Sequence, residues 1–277
     1  VLKLLHENHP TIRTARTISN YYLSNNDEEK SDLVIQSFFE KNKSYSDLYK
    51  GIRHAKAGRN KLAEESYKNV LSTDNKNVDA LRLLGLLAFK NNNHDIAEKL
   101  LIRAIQLDPY FHLLWDNLAK VFRVQNKLEE SKKAFENLIK LDPKNNEAFV
   151  ALGTIYNKLA QYKDGINSYK KALKLNDNNA RVYLSMGHAL KTLGNRKECE
   201  DSYLKAIKLF PLSGEGYWSL ANLKTYTFNE NQIQAMKSAI KEDMHEQEKI
   251  QMMFALGKAY ESKKDFKESF KFYNDGN

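Results

Sequence analysis

The residues in this sequence best placed to do chemistry are three pairs of polar and basic side chains: Lys120 with Arg123, Thr154 with Asn157, and His188 with Lys191. Within each pair the spacing is three residues, and successive pairs follow one another by 34 residues. On a helix, residues three apart share a face. A row of such pairs, biased to positive charge, would offer charge-assisted hydrogen bonds to a carboxylate, an acidic peptide, or a sulfated or acidic glycan. The patterns that would support catalysis are missing: there is no HExxH, no His/Cys cluster at metal spacing, no glycine-rich phosphate loop, and no nucleophile with a base and an orienting group. The chain itself therefore reads as a binder and not an enzyme, with no cofactor or metal of its own.

The period that spaces the pairs runs through most of the 277 residues. Its clearest copy is Val78 to Phe111. With Val78 as position 1, Leu81 stands at position 4, Leu84 and Gly85 at 7 and 8, Ala88 at 11, Ala97 at 20, Leu101 at 24, Ala104 at 27 and Pro109 at 32. Positions 4, 7 and 11 form the apolar stripe of one helix and 20, 24 and 27 that of a second, so the two stripes bury each other. Small residues at 8, 20 and 27 mark close helix crossings, where a bulkier side chain would overpack. Proline at 32 stops the second helix. Near position 15 stand Gly58, Asn92, Asn126, Ala160 and Gly194. Glycine and asparagine tolerate the left-handed conformation that ends a helix, and Ala160 is the exception.

This spacing resembles that of the tetratricopeptide repeat (TPR) family. It predicts an all-α, right-handed α-solenoid of helix-turn-helix repeats with a degenerate N-terminal helical pair. Residues 1–43 read as that degenerate repeat or cap, and residues 44–213 as five repeats (44–77, 78–111, 112–145, 146–179 and 180–213). Residues 214–249 read as an irregular TPR-like helix pair and residues 250–277 as an incomplete repeat at the junction to a downstream domain. In that family, positions 2, 5, 9 and 12 of each first helix line a concave groove. The resemblance thus implies Arg82, Lys120, Arg123, Asn157, Arg181, His188, Lys191 and Asn222 as groove-binding residues, together with Asn117 at position 6.

The stretch GEGYWSLANLKTYTFNENQIQAMKSAI, with MMFALGKAYESKKDFKESFKFYNDGN after it, resembles the junction in bacterial TPR-sulfotransferase proteins. There a TPR array leads into a sulfotransferase domain that uses the sulfuryl donor PAPS. The resemblance implies that this segment is the non-catalytic recognition arm of such an enzyme, with PAPS binding confined to the downstream domain. The alternative is a stand-alone TPR adaptor holding a peptide or protein in its groove. A TPR arm of a glycosyltransferase fits less well, because the asparagine ladder of those arrays at position 6 is kept only by Asn117 among Leu83, Asn117, Ala151, Ser185 and Ser219.

The charge balance of 44 Lys plus Arg against 35 Asp plus Glu gives +9, spread along the chain and not gathered in a block. That distribution suits a solvated surface or an acidic partner better than nucleic acid. No apolar run approaches the ~20 residues of a membrane span. The single cysteine, Cys199, at position 20 of its repeat, reads as core packing in a reducing, cytoplasmic setting.

Overall fold

A computed structural model describes residues 12–41, 43–223 and 225–277, and among them the regular structure is entirely helical. Residues 1–11, the beginning of the segment read as a degenerate repeat or cap, lie outside the described residues. Sixteen helices follow in order: α1 (Ile12–Ser24), α2 (Glu28–Lys41), α3 (Lys43–Lys56), α4 (Asn60–Thr73), α5 (Val78–Lys90), α6 (His94–Leu107), α7 (His112–Val124), α8 (Leu128–Leu141), α9 (Asn146–Lys158), α10 (Tyr162–Leu175), α11 (Ala180–Thr192), α12 (Arg196–Leu209), α13 (Gly214–Ala221), α14 (Glu230–Ala239), α15 (Glu246–Ser262) and α16 (Phe266–Gly276). They form two compact units, residues 1–134 and 135–277.

In the first unit the hairpins are α1/α2, α3/α4 and α5/α6. Leu48, Ala63, Tyr67, Val70, Ala80 and Leu87 form one of its apolar clusters. The first pair obeys the repeat when Ile12 is counted as position 1. Ala15 and Ile18 are buried at positions 4 and 7, and Phe38 is buried at 27. Ser19 at position 8 and Ser31 at position 20 share a buried hydrogen bond of 2.7 Å where small apolar residues usually meet. This unit reaches Ser44 in 32 residues in place of 34, which is why its register is hard to see against the later copies.

In the second unit, α9/α10, α11/α12 and α15/α16 are hairpins. A continuous core runs from Ile166 through Tyr203, Leu220 and Met252 to Phe272. First helices are capped from position 34 of the preceding repeat. Asn145, Asn179 and Ser213 each accept from a backbone N–H three residues on, at 3.0, 3.2 and 3.1 Å, satisfying one orphan donor of the helix start. Asn77 does the same in the first unit at 2.9 Å.

The hairpin turns are set at position 15, where Gly58, Asn92, Asn126, Ala160 and Gly194 all have φ between 57° and 76°. Asn26 and Lys264 occupy the corresponding places of the first and last hairpins at φ 57° and 61°. Ala160 bears a Cβ in a conformation that favours glycine and is exposed. Ala160→Gly is therefore expected to stabilise the chain by about 0.5–1 kcal/mol, read as a higher urea midpoint. A lower midpoint would show that the turn is not strained.

The sequence reads Gly214 to Lys224 as a full first helix partnered by the following segment, and the structure differs. Helix α13 stops at Ala221 after 8 residues. It packs along α15, far more extensively than α14 does. The chain between α13 and α14 buries Phe228, 6.3 Å from the ring of Tyr217. A capping box of Asn229 and Gln232 starts α14.

Candidate functional site: the polar row on the first helices

In the first unit, Arg82, Asn117, Lys120 and Arg123 occupy different surroundings. Arg82 is only 8% exposed, its guanidinium 5.6 Å from the centre of the Phe111 ring and 3.8 Å from the Asp79 carboxylate. It is a packed, internally balanced charge and presents little to a ligand. Lys120 donates to Asp116 at 2.7 Å along the same helix. Asn117 keeps its Nδ2 buried with no hydrogen-bond acceptor. Arg123 is exposed near the end of α7.

In the second unit, Arg181 and Lys191 are exposed on α11, the helix that also carries His188. Asn157 on α9 makes long contacts from Nδ2 to the Tyr169 hydroxyl at 3.4 Å and to the Ser185 carbonyl at 3.5 Å. Its Oδ1 lies in space left open by Gly165, where an added Cβ would stand 2.4 Å away. Asn222 is placed differently from the sequence expectation. Because α13 ends at Ala221, Asn222 is the C-cap residue (φ −75°, ψ −2°), and its backbone N–H bonds the last turn.

His188 is the most constrained member of the row. Its Nδ1 lies 2.9 Å from the Tyr203 hydroxyl and its Nε2 lies 3.1 Å from Glu215 Oε1. Glu215 sits in the first turn of α13, and its backbone N–H donates to Glu248 Oε2 at 3.1 Å. The hydrogen bond from His188 holds the Glu215 carboxyl below the usual carboxylate range, with burial opposing and Arg181 assisting. Such a group adds stability above its unfolded pKa of about 4.3, and that stability is lost as pH falls through the lower folded value. Glu215→Gln should therefore flatten the loss of urea resistance on acidification below about pH 5. Parallel pH profiles for the two proteins would contradict this.

Glu215, His188 and Tyr203 have the connectivity of an orienting acid, a base and a hydroxyl. Their surroundings rule out acyl-transfer chemistry. Tyr203 is fully buried, and burial pushes its phenol far above the ordinary tyrosine value. No substrate reaches that oxygen, so the chain of bonds ties helices together. Cys199, one turn before Tyr203, is buried, and burial raises its thiol pKa. Among the described residues no three of His, Cys, Asp and Glu converge as a metal site. Two open clefts in the second unit, one including Glu136, Tyr156 and Lys171 and the other Lys163, Leu190 and Glu198, contain none of the nine predicted residues.

The sequence reading passed over the second-helix tyrosines that touch the row. Tyr169 reaches Thr154 Oγ1 at 3.3 Å, and Tyr203 reaches His188. The signal available for them is tyrosine, in place of leucine or phenylalanine, at position 24 opposite glycine at position 8.

These hairpins, turns and stripes define an all-α TPR-type solenoid. Models of the tetratricopeptide repeat match residues 49–110, 113–145, 153–194, 180–211 and 250–276, together more than half of the chain, which belongs to this family. No curated protein matches it. Among solved structures it is similar to a crystal structure of MamA at 23% identity and TM-score 0.57, covering 60% of this chain and 91% of that one. It is similar to MamA AMB-1 at 25% identity and TM-score 0.56, covering 60% and 91%. For MamA MSR-1 the identity is 25% and the TM-score 0.54, covering 60% and 96%. In all, 438 solved chains match, so likeness to any one of them speaks for the fold and not for a partner. No described helix is long and apolar enough to cross a membrane.

Proposed function

We propose that this chain is a non-catalytic TPR scaffold that binds a protein or peptide along the first-helix faces of its repeats, with acidic peptides or acidic glycans as the preferred chemistry. The observation that supports it most is the exposure of Arg181 and Lys191 on one helix of the second unit and of Arg123 in the first. The other row residues able to donate are engaged within the chain: Lys120 and Arg82 in ion pairs with Asp116 and Asp79, and the His188 ring in a hydrogen bond with Glu215. Cations without an ion partner are the ones available to a ligand carboxylate or sulfate.

The test is a titration of fluorescent hexaglutamate against the wild-type chain and two variants, Arg181→Ser/Lys191→Ser and Lys120→Ser/Arg123→Ser. At low salt each pair should weaken binding by about five- to thirtyfold, on the order of 1–2 kcal/mol. Unaltered affinity in both, or no binding by the wild type, would remove the assignment.

The wording of residues 214–277 supports a finer reading, in which the scaffold serves as the recognition arm of a PAPS-dependent sulfotransferase-type protein in a reducing, cytoplasmic compartment. The rival reading is a stand-alone adaptor. The gene sequence downstream of Asn277 separates them: a strand followed by a glycine- and arginine-containing phosphate loop supports the first, and an unrelated continuation supports the second.

A further inference from the structure

In three repeats the hydroxyl of a tyrosine at position 24 crosses beneath the glycine at position 8 and meets the polar row on the first helix. Tyr169 donates to Thr154 at 3.3 Å and stands 3.4 Å from the Asn157 amide. Tyr203 bonds His188 at 2.9 Å, and Tyr273 donates to Glu261 at 3.0 Å. The crossing needs the glycine. A Cβ at Gly153, Gly187 or Gly257 would lie 2.4–2.7 Å from the tyrosine ring. Thr154 and His188 are at position 9 of their repeats, and Asn157 and Glu261 at position 12.

We propose that Tyr169 and Tyr203 are positioning residues for ligand binding, fixing from below the side chains that line the row; this rests on the reading of that row as a binding surface. The hydroxyls are anchored in rings that are 1% and 0% exposed, so their positions are set by the core. For His188 the effect extends to the proton. With a carboxylate at Nε2 and a hydroxyl at Nδ1, the neutral ring carries its hydrogen on Nε2, donating to Glu215, and accepts at Nδ1 from Tyr203. His188 thereby holds Glu215 at the edge of the row beside Arg181, which also acts on the Glu215 charge. Tyr67 supplies an internal comparison. It lies against Gly51 in the same way, yet positions 9 and 12 of its repeat are the apolar Ile52 and Ala55, and the one row charge it senses is Arg82, which is packed and presents little to a ligand.

The experiment uses the full chain labelled with ¹⁵N-histidine, hexaglutamate as probe, and the variants Tyr203→Phe, Tyr169→Phe and Tyr67→Phe. In the wild type the neutral form of the His188 ring should report a single Nε2–H tautomer. Tyr203→Phe should mix the tautomers and weaken hexaglutamate binding about two- to tenfold through lost side-chain order. Tyr169→Phe should weaken binding by a similar factor with the His188 signals unchanged, and Tyr67→Phe should alter neither. Urea midpoints check that each variant is folded, and phenylalanine keeps the packed ring. Unchanged His188 signals in Tyr203→Phe, or changed signals with full affinity, would overturn the positioning role alone. Failure of the wild type to bind hexaglutamate would overturn the binding reading and the positioning role together.

Discussion

Gly214→Ala is expected to cost about 3 kcal/mol or more, among the larger effects that overpacking produces. A Cβ at this position would stand 1.9 Å from the carbonyl oxygen of Glu248, 2.7 Å from its carbonyl carbon and 2.9 Å from its Cα. All three are backbone atoms at the start of α15, and no rotamer change moves them. The collision falls where α13, short of a conventional partner, packs along α15. It would also pull the Glu215 N–H away from the Glu248 carboxylate that caps it. Urea denaturation followed by circular dichroism reads the loss, and the transition should lose cooperativity as residues 214–277 separate from the repeats before them. A variant as stable as the wild type would mean that α13 and α15 do not meet as described.

Gly187→Ala is expected to cost about 2 kcal/mol by a different route. The new methyl would lie 2.4 Å and 2.7 Å from Cε1 and Cδ1 of Tyr203. That ring is fully buried and tethered by its hydroxyl to His188, so it has no open space to enter. Overpacking of ~1–3 kcal/mol outweighs the ~1 kcal/mol that alanine gains over glycine in a helix. The repeat at Val78 suggests the compensation: Gly85 faces Leu101 there, with Cγ at 3.2 Å from an added Cβ. Tyr203→Leu should therefore relieve part of the cost, giving a favourable coupling in a double-mutant cycle. Strict additivity would show that ring and glycine are not in contact.

The regular part of the fold was readable because its period repeats the same packing problem. Position 8 must be small where the tyrosine passes, position 15 must take positive φ, and position 34 caps the next helix at Asn77, Asn145, Asn179 and Ser213, though not at Phe111. Each demand selects residue types visible in the sequence, and Ala160 stands out because it meets its demand at a cost. The first hairpin was legible as a degenerate helical pair, but its register was not, because two serines replace the small apolar pair and the repeat is two residues short. The junction after Gly214 hid for another reason: pairing of α13 with α15 is a long-range outcome, and the pattern of α13 alone is that of an ordinary first helix.

The binding row was only partly readable. Spacing shows which residues share a helix face, but it does not show which charges are already satisfied. Arg82 looked like a groove cation until Phe111 and Asp79 were found around it. Asn222 looked like a groove residue until α13 was found to end one residue earlier. Tyr169 and Tyr203 were invisible to a search for polar surface residues because they belong to the core and touch the row with a single atom.

Whether ligands are held by the first-helix faces can be read from backbone amide shifts as hexaglutamate is added to the wild-type chain. The largest shifts should fall on α7, α9 and α11, centred on residues 120–123, 154–157 and 188–191, with the second helices α10 and α12 little changed. Shifts concentrated on α10 and α12, or spread evenly over every lysine, would contradict it.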